Sequence, residues 1–182
     1  MPHSLHRYIV PYIALALGVT GQSQAGEGPA ARDHSRSQGA CEVSEMQREM
    51  LERVNAARQE SRQCGDDDFD AARPVAWNCD LAAAAEAHSR DMAENDYFSH
   101  TDPEGEGLQA RVEAESYNWR AIAENIAAGQ ESIVEVVEGW LASPGHCANL
   151  MNDTFTEMGM ARIEEAQSLR SPYWTQVFAR PR

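Results

Sequence analysis

Four cysteines, at positions 41, 64, 79 and 147, constrain the fold of this 182-residue chain more than any other feature. All of them follow a segment with the marks of export. His3, His6 and Arg7 make a weakly positive start, and Tyr8 to Val19 is an apolar run interrupted by Pro11 and too short to span a bilayer. Ser23-Gln24-Ala25 is a small-residue cleavage site. Residues 1–25 therefore read as a signal peptide cut after Ala25, which places the mature chain in the periplasm or outside the cell. No cysteine stands at that junction to take a lipid, and nothing after it is apolar for long enough to span a membrane. In an oxidising setting an even number of cysteines reads as two disulfides, with every pairing open. The absence of any C-x-x-C spacing argues against a zinc knuckle or a redox pair.

The remaining length suits one domain with a proper core. Its charge is unusual: the net charge is −14, losing Arg7 takes it to −15, and all 15 basic residues are arginine. Such a surface repels the phosphates of nucleic acid and the face of an anionic membrane. The acidity reads as solubility, and a monomer is expected.

Residues 26–40 are small and polar, a flexible leader, and residues 41–182 form the domain. Val43, Met46, Met50, Val54 and Ala57 recur at helical spacing, and Gln59 to Pro74 reads as a loop. Asp80 is the expected N-cap of a second helix running to about Asn95, with Leu81, Ala85, His88 and Met92 inward and His88 a core histidine. A short helix is expected from Leu108 to Glu115. Ser132 and Glu135 form a capping box opening another helix, which Ser143-Pro144-Gly145 stops. Met158 to Ile163 and Tyr173 to Phe178 read as strands of a hairpin, so the class is α+β, helices packed on an antiparallel sheet. Asp66, Asp68 and Asp70 begin like a calcium loop, but Ala71 and Trp77 replace its glycine and glutamate.

Three residues could carry chemistry: His100, Glu124 and His146, each read as lying in a loop or at the edge of an element. A glutamate beside two imidazoles raises their pKa values and fixes their tautomers, and two nitrogens with a carboxylate could hold Zn²⁺ with an open position. Trp140, Trp174 and Phe178 read as core.

Five motifs then follow in order: Phe98-Ser99-His100, Ala123-Glu124-Asn125-Ile126-Ala127, Trp140 to His146, Asn149-Leu150-Met151, and Tyr173 to Phe178. In this register the chain resembles the CAP superfamily, the SCP domain of cysteine-rich secretory proteins, antigen 5 and plant pathogenesis-related proteins, above all its secreted bacterial branch. The resemblance implies an α-β-α sandwich with a cleft in which His100 and Glu124 take the places of the family's first histidine and first glutamate. Ser143 and Tyr173 stand where eukaryotic members have a second glutamate and a second histidine, so the four-residue set does not transfer whole. His146 comes from the bacterial Ser-Pro-Gly-His motif. Asn125, Ser143, Asn149, Tyr173 and Gln176 are expected to support the cleft. The resemblance also implies the pairing Cys64–Cys147, leaving Cys41–Cys79. The expected function is a binding module for a small or lipidic ligand or an envelope partner, with no required cofactor. The alternatives are a protease-like hydrolase using His100, Glu124 and His146, with a divalent metal such as zinc on the two histidines, or a structural interaction domain.

Overall fold

A computed structural model describes residues 41–182; the expected signal peptide, its cleavage site and the leader lie outside these residues. The elements, in order, are α1 (Glu45–Arg58), β1 (Arg62–Cys64), β2 (Asp67–Phe69), β3 (Ala76–Trp77), α2 (Cys79–Glu94), α3 (Leu108–Ala114), β4 (Trp119–Ala128), α4 (Ile133–Ala142), α5 (Pro144–Met151), β5 (Glu157–Ile163) and β6 (Tyr173–Pro181). A four-stranded sheet in the order β3-β5-β6-β4 forms the middle layer. Its β4–β6 and β5–β6 pairs are antiparallel, and the short β3 joins β5 in parallel, a departure from the all-antiparallel sheet expected.

Period-two alternation sorts the strands between two helical layers. Trp174 and Phe178 of β6, with Met158 and Met160 of β5, face Met50 and Val54 of α1, Val136, Val137 and Trp140 of α4, and Leu150 of α5. On the other face Val177, Ala179 and Ala161 meet Leu81, Ala84 and Ala85 of α2 and Val112 of α3. This is the α-β-α sandwich, with the three expected aromatic residues in the core. The close approach of α2 depends on Gly159, where a Cβ would stand 2.1 Å from the backbone nitrogen of Ala82.

Local chemistry sets the helix ends. Ser44 and Gln47 make a reciprocal capping box on α1. Asn78, not Asp80, caps α2: its side chain accepts from the amides of Asp80 and Leu81, and Asp80 falls into the favourable first turn. Ser132 caps α4 by accepting from Glu135 N, but the Glu135 carboxylate turns to the amide of Glu131, so the box is half formed. The expected loop from Gln59 to Pro74 contains the β1–β2 hairpin, turned at Gly65 with φ +67°. Ser143-Pro144 ends α4 as expected and also starts α5, with Pro144 in its first turn.

Both implied disulfides are present, Cys41–Cys79 and Cys64–Cys147. The second clamps the hairpin to α5, beside Met151. Arg58, fully buried, donates to the carbonyls of Arg73, Leu150, Asn152 and Phe155, tying the end of α1 to the end of α5. α5 is thereby held at its middle and at its C-terminal end.

Candidate functional site

The site forms where β4, the sheet's edge strand, passes between the two helical layers. Glu124 and Asn125 are adjacent within β4, so their side chains leave on opposite faces. Glu124 is therefore a buried mid-strand residue, not the loop or edge residue expected from the sequence. Burying a carboxylate demands partners, and it has them. Its Oε1 accepts from His100 Nδ1 at 2.8 Å, and its Oε2 accepts from Arg111 Nη2 on α3 at 2.9 Å. The Nε2 of His88, on α2, lies 3.9 Å from Oε1. Glu124 is 3 % exposed in its side chain while His100 is 55 % exposed, so the carboxylate anchors an imidazole at the surface.

Because an ionised carboxylate only accepts, His100 carries its proton on Nδ1 and leaves Nε2 outward. The His100 carbonyl accepts from the same Arg111 Nη2 at 3.1 Å, and the carbonyl of Ser99 accepts from His88 Nε2 at 2.9 Å. Burial holds His88 below the usual histidine value; the charge of Arg111 adds to this, against the pull of Glu124.

On the other face Asn125 Nδ2 donates to Gln176 Oε1 at 3.1 Å and to the carbonyl of His146 at 3.3 Å. Asn149 Nδ2 donates to Asn125 Oδ1 at 2.9 Å and to the carbonyl of Glu124 at 3.2 Å. This amide network fastens α5 to the strand and carries His146, in the first turn of α5, to the cleft. Burial lowers the pKa of His146, and charge on His100 lowers it further, so the two imidazoles feel one another.

A cavity of about 520 Å³ opens beside this strand, lined among others by Phe98, Ile126, Trp140, Ser143, His146 and Leu169. His146 and Ser143 lie in its wall; His100 and Glu124 adjoin it without lining it. The Tyr173 hydroxyl is bonded to Ser168 at 2.7 Å, so that residue supports the loop bearing Leu169. Arg111 is not among the residues expected at the site, and His88, a core histidine as expected, also bonds to the loop of His100. Neither has a local signal, because each meets its partners only after the chain has folded.

The donor set for a metal is thin. Both oxygens of Glu124 are taken by hydrogen-bond donors, which leaves His100 Nε2 and His146, fewer protein ligands than the three or four of a zinc site. Among the described residues no group of three or more His, Cys, Asp or Glu side chains could hold a metal ion. Among the same residues no helix is long and apolar enough to cross a membrane.

Comparison with known proteins agrees with this architecture. The chain is similar to YkwD of Bacillus subtilis (strain 168), 28 % identical over 159 residues, which cover 86 % of this chain and 56 % of that protein. It is similar to the solved structure of an extracellular protein containing a SCP domain from Bacillus anthracis str. Ames, at 30 % identity and TM-score 0.61, covering 74 % of this chain and 40 % of that one. It shares the fold of an outer surface protein from Borrelia burgdorferi, at 18 % identity and TM-score 0.61, over 74 % of this chain and 92 % of that one. The chain thus spans about half the length of its Bacillus relatives. The profile of the cysteine-rich secretory protein family, CAP, matches residues 51–178, and the chain belongs to that family.

Proposed function

We propose that this is an exported binding module that takes a small amphipathic ligand into the cavity beside β4. One observation carries the reading. The exposed large apolar side chains among the described residues are Phe98, Val134 and Leu169, and two of these three line the same cavity. Phe98 is 45 % exposed and Leu169 is fully exposed, a cost in water that a ligand's apolar body would relieve. The ligand's polar end would meet His146 and the outward Nε2 of His100. With both of its oxygens occupied, Glu124 serves as an anchor for an imidazole and not as a free base.

Saturable uptake of the neutral fluorescent amphiphile N-phenyl-1-naphthylamine tests this. Replacing Phe98 and Leu169 with aspartate should weaken uptake about tenfold or more, on the order of 1.4 kcal/mol, with the fold intact. Unsaturable uptake, or uptake unchanged in the double variant, would sink the reading. The hydrolase alternative rests on the His100–Glu124 pair at 2.8 Å, a carboxylate-oriented imidazole of the kind general bases use. It predicts turnover of an ester or peptide substrate that His100→Ala abolishes.

A further inference from the structure

We propose that His88 and Arg111 are positioning residues for His100, gripping its main chain from two sides so that Nδ1–H stays on Glu124 and Nε2 faces outward. The proposal deepens the reading above, because it says what makes the surface imidazole a defined partner for a ligand.

His100 sits in the irregular segment between α2 and α3. Part of that segment is bonded to itself: Thr101 N donates to Ser99 Oγ, Asp102 N to the Glu106 carbonyl, Gly105 N to the Asp102 carbonyl, and Glu106 N to Asp102 Oδ1. Such bonds give the loop a shape without fixing where it lies. The segment is tied to the body of the domain at Asp96, by Ser168 and Arg170, and at Glu106, by Arg111, but three of its bonds to three different elements converge on His100. His88 on α2 donates to the carbonyl of Ser99, Arg111 on α3 donates to the carbonyl of His100, and Glu124 on β4 accepts from the ring. Two consecutive carbonyls held from two different helices fix the peptide planes on either side of one Cα. The direction of its side chain follows.

Arg111 does more than grip the loop. One nitrogen, Nη2, bridges the His100 carbonyl and Glu124 Oε2, so backbone and carboxylate are held at a set separation. That separation is what the Nδ1–H bond to the other carboxylate oxygen requires.

Two orphaned atoms show that these side chains do not merely fill the core. His88 Nδ1 and Arg111 Nε are buried with no partner among the described residues. A phenylalanine or leucine would fill the space of His88 without burying an unpaired acceptor. An unsatisfied buried atom in each of two neighbouring side chains, both directed at one histidine, is the pattern expected where geometry is kept at a cost in stability. The His88 side chain is buried completely, and its one hydrogen bond goes to the loop, with Glu124 Oε1 3.9 Å away.

The consequence is chemical. With Nδ1–H pinned, the neutral ring offers a lone pair at Nε2 and accepts from a ligand hydroxyl or amide. Released from the carboxylate, an imidazole favours the opposite tautomer, which would present a donor instead. His88 and Arg111 therefore set the sign of the hydrogen bond that His100 makes.

The test is ¹H–¹⁵N imidazole spectroscopy of the ligand-free domain, so that it does not depend on finding a ligand. In the wild type His100 should be the Nδ1–H tautomer. His88→Phe and Arg111→Met should each move the majority of His100 to the Nε2–H form, and His88→Gln, whose amide can still donate to Ser99, should restore the wild-type signature. A merely structural role would lower the melting temperature and leave the tautomer alone. If His88→Phe does not fold, Arg111→Met decides. Unchanged His100 resonances in the folded variants overturn the proposal. Amphiphile uptake is read separately: a shifted tautomer in a protein that takes up no probe supports the positioning and removes only the reading of the cavity.

Discussion

Glu124 and Asn125 are neighbours on β4, yet the faces they serve are built from different chemistry. The Glu124 face is ionic: one buried carboxylate, one guanidinium and two imidazoles, with the exposed His100 held by its ring and its main chain. The Asn125 face is neutral: three amide side chains, Asn125, Asn149 and Gln176, join the strand to the carbonyl of His146. The difference follows from what each face must hold. A loop with few buried apolar contacts needs strong, charge-assisted bonds to stay in place. A helix already fastened by a disulfide, by Arg58 and by Leu150 needs only its backbone polar groups satisfied. One strand thus holds two histidine-bearing segments by two means.

The largest expected effect separates the two faces. Replacing Cys64 and Cys147 with alanine frees a loop of 83 residues in sequence separation, which the chain-entropy model puts at about 4–5 kcal/mol. Denaturant unfolding reads the loss, and histidine resonances read where it falls: His146 should broaden while the His100–Glu124 bond survives. Simultaneous loss of both signals would show that the faces are not independent. Glu124→Gln comes next. It leaves the guanidinium of Arg111 without its carboxylate in a mostly buried site, a cost of about 3 kcal/mol. Asn125→Leu removes neutral bonds and should cost about 1–2 kcal/mol, with His146 displaced and His100 unmoved. If Asn125→Leu proves as damaging as Glu124→Gln, the distinction between ionic and neutral faces is wrong.

What could be read from the sequence divides along the same lines. α4 and the β5–β6 hairpin carry their period in their own residues, and the resemblance supplied both the cysteine pairs and the His100–Glu124 pairing. β4 itself was invisible. Its run Trp119-Arg120-Ala121-Ile122-Ala123-Glu124-Asn125-Ile126-Ala127-Ala128 is clothed by helices on both faces, so it does not alternate, and it is rich in alanine, a poor strand former. α5 was hidden because Pro144-Gly145 is a stop signal for one helix and a start signal for the next. The β1–β2 hairpin is mostly exposed and charged, with no apolar stripe to mark it. Arg111 and His88 act on groups 11 or more residues away, and no local pattern announces such a bond.

The smallest expected effect is a pH dependence that draws on both faces at once. His88 and His146 each have a folded-state pKa held below the value of 6.5, both chiefly by burial. The unfolded chain therefore binds more protons than the folded one as pH falls past that value, and stability rises with pH across the window. Their contribution is fully present above pH ~6.5 and drains away below it, before the carboxylates begin to titrate near pH ~4. Melting temperatures should be flat from pH 8 to about 7 and decline toward pH 5. His146→Gln should remove part of that decline and leave the part due to His88, whose environment contains Glu124, Arg111 and Asp91. The two contributions differ in origin: His88 is shielded entirely within the ionic face, while His146 is half-buried at the cavity and its pKa is lowered further by charge on His100. His100→Gln should accordingly relieve part of the depression at His146, read as an upward shift in its titration. A His146 titration that ignores the loss of His100 would show that the two rings do not share a cleft.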